Sequence, residues 1–255
     1  MLVWGVIAVK SSPRCWIASV TVVFVFGLGG STAAWAANVN PQVFPIGSKP
    51  YGLTYGQWSE RWWQFAVQQT TLDFCAPTRP ASPVAFLTGT ANFGSIVPVT
   101  TFCTVPSGQA LMFPLFNVEW SQAEANNTPG SCPVSAQPSG TGEAALLACA
   151  SAQADHALLP GGSLTANIDG RTMGNLASYR AVSPSLFEMT PVTGNPFGIP
   201  VGNPPTTQAM ADGFWIILAP LATGTHTIHF TATVPFPEFG GTFFVDQTDV
   251  VTVQR

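Results

Sequence analysis

The side chains able to act as acid, base or metal ligand are few and scattered. Glu60, Glu119, Asp169, Asp212 and Glu238 are the carboxylates to consider, and His226 and His229 are two of only three histidines. Glycoside hydrolysis needs two carboxyl groups about 5 to 10 Å apart, and 18 Phe with 8 Trp supply ample surface for stacking sugar rings. Glu60, Glu119 and Asp169 are the carboxylates to which an acid or base role would fall. Spacing alone pairs none of them. Asp169 and Asp212 each precede glycine, which a turn role explains, and Glu60 sits beside Arg61, where a solvated or locally paired carboxylate is the plain alternative.

Other chemistries fit less well. Residues three apart on a strand point to opposite faces, so His226 and His229 cannot grip one ion without a bulge. The cupin pattern of His-x-His followed by Glu is absent, with Glu238 in a Pro-rich turn. No Gly-x-Ser-x-Gly elbow presents a nucleophile, and nothing in the spacing brings Ser183, Asp155 and His156 together. Glycine-rich stretches lead into strands or proline, not into helix starts as a phosphate loop requires. No metal or cofactor is expected.

Positioning any site falls first to the stretch 55–67, which holds three tryptophans in six residues. At 100° per residue, Tyr55, Trp58, Ser59, Trp62, Trp63, Phe65 and Ala66 share one arc while Gln57, Glu60, Arg61 and Gln64 share the other, an amphipathic helix. Thr54 with Gln57 fits a capping box at its start. Core packing explains the aromatic face, and its edge residues Glu60, Arg61 and Trp63 could line a groove. With His229, they form the candidate ligand-binding set.

The remainder reads as strands. Runs at 84–90, 96–105 and 110–120 alternate with Pro/Gly turns, and Pro114 inside the third marks an edge or a bulge. Residues 121–142 read as loop. A second helix is expected from Glu143 to about His156, capped by Thr141 and stopped by Pro160-Gly161-Gly162. Asp169-Gly170 signals a hairpin. Short strands follow at 179–182 and 186–189, then a Pro/Gly-rich loop at 191–207, long enough to be functional. Strands at 214–220, 225–234 and 242–254 complete an antiparallel sandwich. In the second of these, His226, Ile228, Phe230 and Ala232 share one face.

Residues 1–36 read as an export leader: Lys10 and Arg14, an apolar stretch, then Ala34-Trp35-Ala36 before the cleavage point. Its loss removes two basic residues and no acidic one, leaving six against twelve and a net charge of −6. Such a chain is a poor nucleic-acid partner. No later run is long and apolar enough to span a bilayer. The exported chain keeps Cys75, Cys103, Cys132 and Cys149, for which two sequence-local disulfides, 75 with 103 and 132 with 149, are expected in an oxidising compartment. No Cys-x-x-Cys suggests zinc.

Taken together, Tyr55-Gly56-x-Trp58-x-x-Arg61-Trp62-Trp63-Gln64, Cys103-Thr104-Val105-Pro106-x-Gly108, Phe113-Pro114-Leu115, Ile168-Asp169-Gly170, Tyr179-Arg180, Ser183-Pro184 and Ala211-Asp212-Gly213 through His226-Thr227-Ile228-His229-Phe230 resemble a family of uncharacterised exported bacterial proteins. The resemblance spans most of the exported chain and implies export, but carries no activity with it. The turn and strand from Gly224 are also similar to the last hairpin of immunoglobulin-like domains. The expectation is a mainly β protein, an antiparallel sandwich of jelly-roll or immunoglobulin-like type, with an N-terminal Trp-rich helix and one further helix. Its function would be non-catalytic binding of a glycan or extracellular protein at the envelope or outside the cell; the alternative is a secreted carbohydrate hydrolase using paired carboxylates.

Overall fold

The computed structural model describes residues 40, 42–72, 75, 82–90, 92–127, 132 and 140–255. The leader expected at 1–36, and most of the Pro-rich segments next to Cys75 and Cys132, lie outside the described residues. The protein is mainly β, with two sheets and few helices. No described helix is long and apolar enough to cross a membrane.

The first sheet is built on β4 (Ala110–Ser121), which pairs in parallel with β1 (Val84–Phe86) and antiparallel with β9 (Thr207–Leu218). Strand β9 also takes β7 (Arg180–Val182) and β8 (Phe187–Met189). The second is built on β11 (Gly241–Gln254), which pairs antiparallel with β10 (Gly224–Phe236) and β2 (Asn92–Phe93) and in parallel with β3 (Val99–Pro106). Beyond β10 lie β5 (Ser163–Ile168) and β6 (Arg171–Thr172). Residues of the two sheets meet in one apolar core, where Phe113 of β4 stacks on Phe230 of β10 with centroids 4.8 Å apart.

Strand β9 is almost wholly buried, and its second half, Phe214 to Leu218, is a continuous apolar run because both its faces are covered. On one side lies α1 (Tyr55–Ala66), which starts as the capping box expected: the Gln57 amide N–H donates to Thr54 Oγ1 at 3.2 Å and the Thr54 N–H donates to Gln57 Oε1 at 3.0 Å. Its buried face is Tyr55, Gly56, Trp58, Ser59, Trp62, Trp63 and Ala66, with Phe65 half-buried. The approach to β7 is close enough that a Cβ on Gly56 would overlap the Val182 carbonyl. Tyr55 fixes the helix to the sheet, its hydroxyl donating to the Phe44 carbonyl at 2.6 Å and accepting from the Ile217 N–H at 3.3 Å.

Some local expectations hold and others change. Pro114 marks a bulge, one of the two roles expected of it: the β4–β9 register slips between Pro114 and Phe116. The stretch 121–142 contains α2 (Gln122–Asn127), and α3 (Glu143–Asp155) starts after Gly142 with no side-chain cap, so Thr141 does not serve. Asp212 is not a turn residue: β9 begins seven residues earlier than expected, and carries Asp212 through the core at 1% exposure. Asp169 does turn, with φ of 50° ahead of Gly170 at 79°, closing the β5–β6 hairpin. Both disulfides pair as expected, Cys75 with Cys103 and Cys132 with Cys149, each with Cα atoms 5.6 Å apart.

Candidate functional site

A cavity of about 450 Å³ is lined by Trp62 and Trp63 of α1, by β4 from its bulge at Pro114 to Glu119, and by residues of β10, β11 and the long Pro/Gly loop. One wall is aromatic because α1 presents adjacent tryptophans. Trp62 is fixed by its Nε1–H donating to the Leu87 carbonyl at 2.9 Å and by edge packing on Trp215 at 5.4 Å. Trp63 meets Trp62 at 5.2 Å and Phe197 at 4.9 Å. Phe197 belongs to the long Pro/Gly loop, which Asn195 ties into shape by donating to the Val192 and Ile199 carbonyls and accepting from the Ile199 N–H. The opposite wall holds Phe116 against Phe243 at 5.5 Å, with Phe236 beside them.

Asn117, Glu119, Glu124 and Gln153 put polar groups into this apolar lining. Glu119 is 6% exposed near the end of β4. Glu124 is placed by a second capping box, its Oε2 accepting from the Ser121 N–H at 2.9 Å while its own N–H donates to Ser121 Oγ at 3.3 Å. Burial pushes the Glu119 carboxyl well above the usual range, and the neighbouring charge and hydrogen bond of Glu124 push it the same way. Burial also raises Glu124. Two carboxyls in direct hydrogen bond cannot both ionise, so the pair retains a proton. Among the described residues, Trp63 Nε1, Asn117 Nδ2 and Glu119 Oε2 have no hydrogen-bond partner. The cavity lining thus carries two unsatisfied donors and one unsatisfied acceptor.

Of the candidate binding residues, only Trp63 lines the cavity, and of the candidate catalytic carboxylates, only Glu119. Arg61 is exposed and lies over the Trp58 ring at 5.9 Å. Burial raises the Glu60 carboxyl against the opposing pull of Arg61, but Glu60 is not part of the cavity wall. His229 accompanies Asp246 at 3.0 Å on β10 and β11. Asp169 is a staple: its Oδ2 lies 2.7 Å from His226 Nδ1 and its Oδ1 accepts from the Thr227 N–H at 2.8 Å. Among the described residues, no three His, Cys, Asp or Glu converge as a metal site would require.

Asn117, Glu124 and Phe197 are cavity residues that the sequence reading missed. Ser121-x-x-Glu124 is itself a capping signature and could have revealed α2. Phe197 had no local signal, being the lone aromatic in a Pro/Gly stretch. In comparisons with family models, curated proteins and solved structures, the chain matches none.

Proposed function

We propose that the chain is an exported, non-catalytic binding protein, a β-sandwich of jelly-roll or immunoglobulin-like type that takes the ring end of a glycan in the aromatic cavity. The observation that carries this is the combination of unpartnered Trp63 Nε1, Asn117 Nδ2 and Glu119 Oε2 with the ring faces of Trp63, Phe116 and Phe197. A buried polar atom without a partner costs about 1 to 3 kcal/mol, which a hydroxylated ring with an apolar face would relieve. The cavity volume suits a ligand of one or two rings better than a protein surface. Two disulfides support an oxidising compartment and hence export. The hydrolase reading is less favoured, because Glu119 and Glu124 are hydrogen-bonded directly, closer than the roughly 5 Å that glycoside hydrolysis needs.

A glycan array, with mass spectrometry of every bound sugar, tests the proposal. The expected result is a bound sugar recovered unchanged, with Asn117→Ala weakening binding about tenfold, the equivalent of one hydrogen bond of roughly 1.4 kcal/mol, and Trp63→Ala weakening it further. A cleaved sugar would move the carboxyl pair to the centre of the account, and the absence of any sugar binding would remove the glycan reading.

A further inference from the structure

Away from the cavity, three polar side chains face the core from the second sheet: Thr101 of β3, and Gln247 and Asp249 of β11, at 9%, 0% and 1% exposure. Strands β3 and β11 run parallel with Thr101 in register with Asp249. Gln247 and Asp249, two apart on one strand, project to the same face. Gln247 Nε2 donates to Thr101 Oγ1 at 3.0 Å and to Asp249 Oδ1 at 2.7 Å. Yet Gln247 Oε1 and Asp249 Oδ2 have no hydrogen-bond partner among the described residues. As a structural device the cluster is a poor one, since a half-satisfied buried network is worse than apolar packing.

The arrangement is instead that of an acyl transfer. A hydroxyl nucleophile touches a carboxamide whose nitrogen already touches a carboxyl group. We propose that Thr101 and Gln247 become joined by an intramolecular ester, formed by the protein itself with Asp249 as the proton carrier. Thr101 Oγ1 adds to Gln247 Cδ, one bond from the nitrogen that it contacts, and its proton passes to the Asp249 carboxylate. The Cδ–Nε2 bond then breaks as Asp249 returns that proton to Nε2, which leaves as ammonia. One C–O bond forms, one C–N bond is lost, and no oxidant, reductant or water is consumed.

The surroundings favour each part of this step. Burial pushes the Asp249 carboxyl up to about 7, against the hydrogen bond from Gln247, so near neutral pH it both takes and gives a proton. The strand ladder holds nucleophile and carboxamide in contact before reaction, so the acyl transfer is intramolecular and already oriented. Exclusion of water protects the product from hydrolysis. The product is also easier to bury: an ester has no N–H to satisfy, and its carbonyl is a weaker acceptor than the amide oxygen it replaces.

Peptide mapping of the chain produced from the full-length sequence tests this directly. Cleavage after Arg61, Arg171 and Arg180 places β3 in the peptide 62–171 and β11 in the peptide 181–255, and both disulfides fall inside the first. After reduction and alkylation, the expected result is that these peptides remain joined at their summed mass less one ammonia, and that hydroxylamine separates them. Asp249→Asn should abolish or greatly slow the joining, and Thr101→Ser should retain it. Separate peptides in the wild type, with the Gln247 carboxamide intact, would overturn the proposal and leave a hydrogen-bonded triad.

Discussion

Arg180 grips Asp212 with two parallel hydrogen bonds, Nε donating to Oδ1 at 2.9 Å and Nη2 to Oδ2 at 2.7 Å. The same guanidinium donates to Asp155 Oδ1 at 2.5 Å and to the Ser151 carbonyl at 3.1 Å, both on α3, and lies over Phe214. One side chain therefore bolts β7, β9 and α3 together. The Asp212 hydrogen bonds raise the Arg180 pKa against the effect of burial, so the ion pair persists through the physiological range. Asp212→Asn should cost about 3 to 5 kcal/mol, the range for breaking a buried pair on one side only. Urea denaturation of the single variant and of Arg180→Met/Asp212→Leu checks this, the double variant recovering much of the loss.

The His226–Asp169 staple makes stability depend on pH. Burial alone would raise Asp169, but hydrogen bonds from His226 and the Thr227 N–H outweigh it and lower the pKa from 3.8. Burial alone would lower His226, yet its bonds to Asp169 and the Ala222 carbonyl raise the pKa from 6.5. A lowered acid contributes stability above its unfolded value, lost as pH falls through the folded value; a raised base contributes below its unfolded value, lost as pH rises through the folded one. The staple is therefore fully effective between about pH 4 and 6.5. The stability difference between wild type and His226→Ala should be greatest in that window and shrink on either side, read from denaturant midpoints across pH.

Gly213 faces the β4 bulge, where an added Cβ would lie 2.7 Å from Asn117 Cα and 2.8 Å from the Phe116 carbonyl. Both contacts are with backbone, so the strand itself would have to move. Gly213→Ala should destabilise by about 1 to 3 kcal/mol and, because Asn117 lines the cavity, weaken ligand binding beyond what the loss of stability explains. Denaturation and binding measured on one preparation separate the two effects.

The Cys132–Cys149 bond ties α3 to the segment preceding it, across 17 residues. Replacing both cysteines with serine should lower stability by about 3 kcal/mol in the chain-entropy account. Removing the buried Trp62 indole, with its bond to Leu87, should cost about 3 to 5 kcal/mol as Trp62→Ala. Thermal unfolding of each variant provides the check.

Much of the architecture was legible because it rests on local signals. The capping box at Thr54, the tryptophan arc, the Asp169-Gly170 turn and the alternation along β10 each involve residues close in sequence, and the structure contains all four. Asp212 misled because the same Asp-Gly pair that makes a turn at 169 is carried through the core at 212, where Arg180, 32 residues away, neutralises the acid. The cavity was legible only in part. Trp63 and Glu119 could be named by type, but their meeting with Asn117, Glu124 and Phe197 depends on a bulge, a short helix and a loop set by distant partners. Thr101, Gln247 and Asp249 were invisible for the same reason: parallel pairing of β3 with β11 leaves no local trace.

That parallel pairing also sets an order of events. Residues 241–254 occupy the middle of their sheet, bridging β10 to strands made more than a hundred residues earlier. Until those residues have been synthesised, β2 and β3 have no partner in this sheet and one edge of β10 is unpaired. Contacts of such long sequence separation form slowly. The second sheet thus stays open at its centre until residues 241–254 are made, and its strands from the two halves of the chain meet only then.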